Sequence, residues 1–119
     1  MDKEELKKRT FDFSLRSLKV VGSLPRTVEG KAVGYQLAKC GPSVGANYRA
    51  SCKARSTAEF IAKIGVVEEE ADETAFWLEL AIHAEMLPKK RLEPLLQEAN
   101  ELTRIMGASR KTASSRRRK

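Results

Sequence analysis

Few residues in this 119-residue chain have the types and spacing to do chemistry. Glu70 and Glu73 lie three apart in a helical stretch, as carboxylates do in the di-metal sites of helix bundles. Those sites need Glu-x-x-His on two helices, and the single histidine, His83, stands at the wrong place. No metal, no cofactor and no catalytic residue is expected. Cys40 and Cys52, if they share a helix, are separated by a rise of roughly 18 Å, beyond the reach of a disulfide. They read as free thiols. Two cationic sets remain: Arg49, Lys53 and Arg55 around one turn, and Arg110, Lys111, Arg116, Arg117, Arg118 and Lys119 at the C-terminus. Lys and Arg supply the salt-dependent part of nucleic-acid affinity, and a flexible basic arm needs no shaped site to bind. Aromatics make up 6% of the chain and none interleaves with these residues. Binding without base stacking, and so without strong sequence preference, is the expectation.

The charge is unevenly distributed. Residues 1–55 hold twelve basic and five acidic side chains, residues 56–106 five and eleven, and residues 107–119 six and none. The chain is thus basic in its first half, acidic in its second, and cationic at its end. Hydrophobic content of 41% with 33% charged residues suits a folded globular domain. The charged N-terminus has no apolar signal-like run, and no apolar run is long enough to span a bilayer. A cytoplasmic protein with no membrane role is expected.

Four helices position these residues. Leu6, Phe13, Val20 and Leu24 form one apolar stripe, with Phe11, Leu15 and Leu18 beside it, and predict a helix from Lys3 to about Val21. Thr27 is a candidate N-cap for a second helix, which carries Val33, Leu37, Val44 and Tyr48. A second line of small residues, Gly34, Ala38, Gly41 and Gly45, runs along it, and Pro42 is expected to kink it. Ser56 to Glu59 is a capping box. It opens a third helix with Phe60, Ile64, Val67, Ala71, Thr74, Leu78 and Ala81 at heptad spacing, ending at Met86-Leu87-Pro88. A second line on that helix joins Val66, Glu70, Glu73, Trp77, Leu80 and Leu87. The fourth helix is expected to begin near Arg91 to Glu93, because Pro94 suits a first turn, and to end at Gly107. Residues 1–106 then form the bundle and residues 107–119 a disordered basic tail. Glu70 and Glu73, facing the interior, are expected to accept hydrogen bonds from Gln36, Asn47 or a basic side chain. With Ser43 these residues make a structural polar network that fixes helix register. With no strand signal, the fold class is all-α, an antiparallel up-down four-helix bundle.

The segment Gln36–Leu80 resembles the signature of the four-helix bundle family of 23S rRNA intervening sequence proteins. The resemblance is carried by Gln36-Leu37, Ser43-Val44-Gly45-Ala46-Asn47, the basic turn before Ser56, Glu59-Phe60-Ile61, Glu70-Ala71-Asp72-Glu73-Thr74 and Trp77-Leu78-Glu79-Leu80. It covers roughly Arg9 to Met106. It implies a bacterial protein that assembles as a ring-shaped homopentamer. Family members include open frames inside insertions in ribosomal RNA genes. Related accessory proteins of diversity-generating retroelements work with a reverse transcriptase and RNA, and no enzymatic activity is established for the family. The opposed charges of the two halves independently suit a heterologous contact between unlike faces of neighbouring copies. The functional expectation is a non-enzymatic oligomeric scaffold that binds nucleic acid, RNA rather than DNA, by charge. The alternative is a protein-interaction scaffold with no direct nucleic-acid role.

Overall fold

A computed structural model describes residues 1–117. It contains four helices: α1 (Lys3–Ser23), α2 (Val28–Ser51), α3 (Thr57–His83) and α4 (Lys89–Arg117). Among the described residues there is no strand. Short connections force antiparallel neighbours, and each helix packs on the next, with α4 returning to α1. The bundle is a rod of about 51 × 22 × 19 Å.

Helix starts follow local capping chemistry. Asp2 accepts from the Glu5 amide, Thr27 from the Gly30 amide and Ser56 from the Glu59 amide, each satisfying a donor with no partner inside the helix. The end of α3 obeys a less visible rule. Glu85 adopts a left-handed conformation, φ 56°. Its amide donates to the Ile82 carbonyl and the Met86 amide to the Ala81 carbonyl, which is a Schellman ending without glycine. The helix therefore stops at His83, three residues before the expected Met86. The start of α4 also differs from expectation: the helix begins at Lys89, and Pro94 lies inside it.

The core forms where the expected stripes meet. Phe13, Leu37, Val44, Val67, Ala71, Leu78, Leu92, Ala99, Leu102 and Met106 are fully buried. Phe11, Leu15 and Leu18 are not part of it. They remain 66, 44 and 47% exposed and line an outward face of α1. The cause is the way α1 meets α2. The contact face of α1 is Thr10, Ser14 and Ser17, and it lies directly on the small-residue line of α2. A Cβ on Gly41 would sit 2.4 Å from Ser17 Cβ, and one on Gly45 2.7 Å from Ser14 Oγ. The Ser14 hydroxyl accepts from the Gly45 amide (2.9 Å) and donates to the Gly41 carbonyl (3.0 Å). It is thereby inserted into the hydrogen-bond ladder of α2 beside Pro42, which has no N–H to contribute. The small-residue line therefore serves packing within the chain at Gly41 and Gly45, and α2 runs unbroken from Val28 to Ser51.

On the far side, α1 is tied to α4. Arg9 donates to both carboxylate oxygens of Glu98 (2.6 and 2.7 Å) and lies 2.8 Å from Glu101. The paired carboxylates, Glu98 first, raise the guanidinium pKa above its ordinary value, and Arg9 in turn lowers that of Glu101. Glu98 is largely buried and the fork geometry is bidentate, so this pair is of the stronger kind.

Gly41→Ala tests the close contact. Helix propensity alone favours alanine by about 1 kcal/mol, whereas forcing a methyl into a packed contact costs typically 1–3 kcal/mol. Chemical denaturation should show a net loss of roughly 1–2 kcal/mol, with partial recovery in Gly41→Ala/Ser17→Gly. A gain in stability for the single variant contradicts this packing.

Candidate nucleic-acid interface

Of the basic residues at the α2–α3 connection, Arg49 lies in the last turn of α2, and Lys53 and Arg55 lie in the connection between Ser51 and Thr57. Arg49, Lys53 and Arg55 are all exposed. The chain turns there because the Lys53 and Ala54 amides bond back to Ala50 and Ser51, after which Ser56 caps α3. Tyr48 is buried beneath this turn. Burial, together with the neighbouring Cys52, Glu4 and Asp2, raises its phenol pKa.

The other basic set is built differently from expectation. Gly107 does not cap α4, and residues 107–117 are not a disordered tail: the helix continues to Arg117. Gly107 is buried, and a Cβ there would lie 2.9 Å from the Glu68 carboxylate of α3. Glu68 occupies that space and pairs with Arg110 at 2.7 Å, which raises the arginine's pKa. Arg110 is therefore held against an acid on the flank of the bundle, away from the other cations. Lys111 is exposed. Past Gly107 the inward positions are small side chains, Ser109, Ala113 and Ser114, half-buried. They let the last three turns lie against the bundle without large apolar groups. Arg116 and Arg117 occupy the final turn, where cations complement the carbonyl end of a helix. Arg118 and Lys119 lie outside the described residues.

The extension of α4 brings the two cationic sets together. Arg55 from the turn, Arg116 and Arg117 from α4, and Lys3 from the start of α1 line one cleft of about 550 Å³, with Cys52 and Phe60 on its apolar side. Among the described residues no carboxylate lines it. None of the four cations is ion-paired to a described residue. Reasoning from sequence treated turn and tail as separate, and it missed Lys3, whose place depends on where α1 begins.

The expected polar network does not form across the helices. Ser43 donates to the Lys39 carbonyl and Asn47 to the Ser43 carbonyl, both within α2. Glu73 is exposed and accepts from Trp77 Nε1, one turn along α3. Gln36 and Glu70 are half-buried at the edge of the α2–α3 contact. Among the described residues no hydrogen bond joins Gln36, Ser43 or Asn47 to Glu70 or Glu73. The polar contact that does cross here is Thr74, whose hydroxyl donates to the Glu70 carbonyl (2.7 Å) and lies 3.2 Å from Cys40 Sγ. Burial raises the pKa of the Cys40 thiol. Neither cysteine is in a disulfide.

The fold defines an all-α protein of the antiparallel four-helix bundle class. The family model of the 23S rRNA-intervening sequence protein matches residues 2–108. The chain belongs to that family. Among solved structures it is similar to a protein of unknown function from the S23 ribosomal protein family of Bacteroides thetaiotaomicron. Identity is 29% and the TM-score 0.79, over 89% of this chain and 98% of the other. Comparison with curated proteins finds no match. No helix among the described residues is long and apolar enough to cross a membrane.

The half-buried Glu70 makes a pH test. Desolvation first, then Glu73 and Glu69, raise its pKa, against a lowering by Lys39. The folded state therefore holds this proton more tightly than the unfolded chain does. The associated stability is complete below about pH 4.3, the ordinary glutamate value, and is lost as pH rises through the raised one. Glu70→Gln should be more stable than the parent at neutral pH and lack this part of the slope. Parallel denaturation midpoints for the two proteins from acid to neutral pH contradict the assignment.

Proposed function

We propose that the chain is a non-enzymatic, cytoplasmic subunit of a ring-shaped homo-oligomer. It binds nucleic acid by charge, RNA in preference to DNA and without strong sequence preference. The observation that carries the binding is the convergence of Lys3, Arg55, Arg116 and Arg117 on one end of the rod, with no acid among the described residues that line the cleft between them. Arg49, Lys53 and Lys111 lie exposed on the same chain segments but do not line the cleft. Arg110 contributes less than its charge suggests, because Glu68 already holds it. The preference for RNA, a ring size of five and a reverse transcriptase or other nucleic-acid enzyme as partner follow from the family resemblance.

Two exposed faces support assembly. The stripe Phe11, Leu15 and Leu18 on α1 is accompanied by Lys8 and Lys19. On α3, Val66, Phe76 and Leu80 are also exposed, among Glu69, Asp72, Glu73 and Glu79. Asp12 also borders the α1 stripe, so that face is only weakly basic, whereas the α3 face is strongly acidic; unlike faces of this kind suit a heterologous contact between copies. Apolar contact rather than exposed ion pairs stabilises such an interface. These same stripes favour the second reading, a protein-interaction scaffold without a nucleic-acid role, when a different protein covers them.

Point substitution tests the binding better than truncation, which removes packed residues of α4 together with the cations. Arg55→Ala/Arg116→Ala should weaken binding to a generic RNA duplex in a fluorescence titration. The slope of log K against log salt should flatten by roughly 1 per phosphate contact removed. Unchanged affinity and slope contradict the reading.

A further inference from the structure

We propose that the cleft at the cationic end is a site for a phosphate monoester, the phosphorylated end of a nucleic-acid strand. This rests on the nucleic-acid reading above and narrows it. A surface that tracks a nucleic-acid backbone presents its cations along a strip, one for each successive phosphate. Here the cations instead converge: Lys3, Arg55, Arg116 and Arg117 come from the start of α1, the α2–α3 turn and the last turn of α4, and line a single concavity. Its volume of about 550 Å³ falls in the range of small-ligand pockets, about 300–1,000 Å³.

Charge selects among the phosphates that fit. A phosphate within a strand is a diester with a single negative charge. A phosphate monoester carries about −1.5 to −2 near neutral pH and offers three strong acceptor oxygens. Three guanidinium groups provide the planar donor pairs that match such oxygens, and the lysine adds a point charge. The half-buried Phe60 supplies an apolar wall on which the terminal sugar and base can lie, a contact available to any base. The cleft at the opposite end of the rod shows the contrast. It is larger, about 1,010 Å³, but Glu79, Glu85 and Glu93 are among its lining residues, and those carboxylates repel a phosphate.

The test is a fluorescence-anisotropy titration of the full chain with one single-stranded RNA sequence in three forms: 5′-phosphorylated, 3′-phosphorylated and unphosphorylated, each with an internal dye. At least one phosphorylated form should bind about tenfold more tightly than the unphosphorylated strand, as charge-assisted contacts to the added oxygens imply. Arg55→Ala/Arg116→Ala should erase that gap. Lys90→Ala, which removes a surface charge from the start of α4, should preserve it. Added inorganic phosphate should close the gap where chloride at equal ionic strength leaves it open. Closure by chloride to the same extent means general screening and overturns the proposal. Equal binding of all three strands also overturns it, while salt-sensitive binding of all three leaves the broader nucleic-acid reading standing. No binding of any strand overturns both.

Discussion

The contact on which the rest of the bundle depends is the approach of α1 to α2, where a serine hydroxyl stands inside another helix's hydrogen-bond ladder. Ser14 bridges the Gly41 carbonyl and the Gly45 amide, and Ser17 fills the space that a side chain at position 41 would need. Interior glycines and a proline all weaken an isolated helix. In α2 they are tolerated because the close contact satisfies backbone groups and adds packing that larger side chains would prevent. The same contact fixes the rotation of α1. With Thr10, Ser14 and Ser17 against α2, and Phe13 and Val20 in the core, the stripe Phe11, Leu15 and Leu18 has nowhere to go but outward. Three large apolar side chains share that outward face, and their exposure follows from a packing decision inside the chain; they are the candidate surface for the assembly proposed above.

The electrostatics divide along the same lines. The Arg9–Glu98 and Arg110–Glu68 pairs bind helix to helix on the flanks. The cations at the end of the rod are left without acidic partners among the described residues. Those unpaired groups are available to a ligand, whereas the paired ones are already committed to the fold. Counting basic residues along the chain does not separate the two kinds; the position of Glu68 over Gly107 does.

Much of the fold was legible because its determinants are local. Thr27 and Ser56 each act on an amide three residues ahead, so they can be read directly as N-caps, and the buried stripes obey the helical period. What was not legible depends on groups far apart in sequence or on uncommon backbone. Glu85 ends α3 in a conformation usually given to glycine, and nothing in its neighbours announces it. Gly107 resembles a stop signal but is a seat for a carboxylate 39 residues earlier. The extension of α4 rests on Ser109, Ala113 and Ser114, whose packing is invisible to a search for large apolar residues. The candidate site shows the same gap: the basic turn at Arg49–Arg55 is visible in the sequence, but its union with Arg116 and Arg117 depends on how far α4 runs. Residue type alone suggests a polar network between helices, but Ser43 and Asn47 satisfy themselves on carbonyls of their own helix.

In the proposed assembly, the face left bare by the α1–α2 contact is covered by the acidic face of α3 on a second copy. Light scattering of the full chain at tens of micromolar in moderate salt measures this directly. The expected result is a discrete mass several times the 13.3 kDa of one chain, collapsing to a single chain when Leu15→Glu interrupts the stripe. A protomer mass for the parent chain contradicts the claim, and a symmetric two-fold dimer contradicts the pairing of unlike faces.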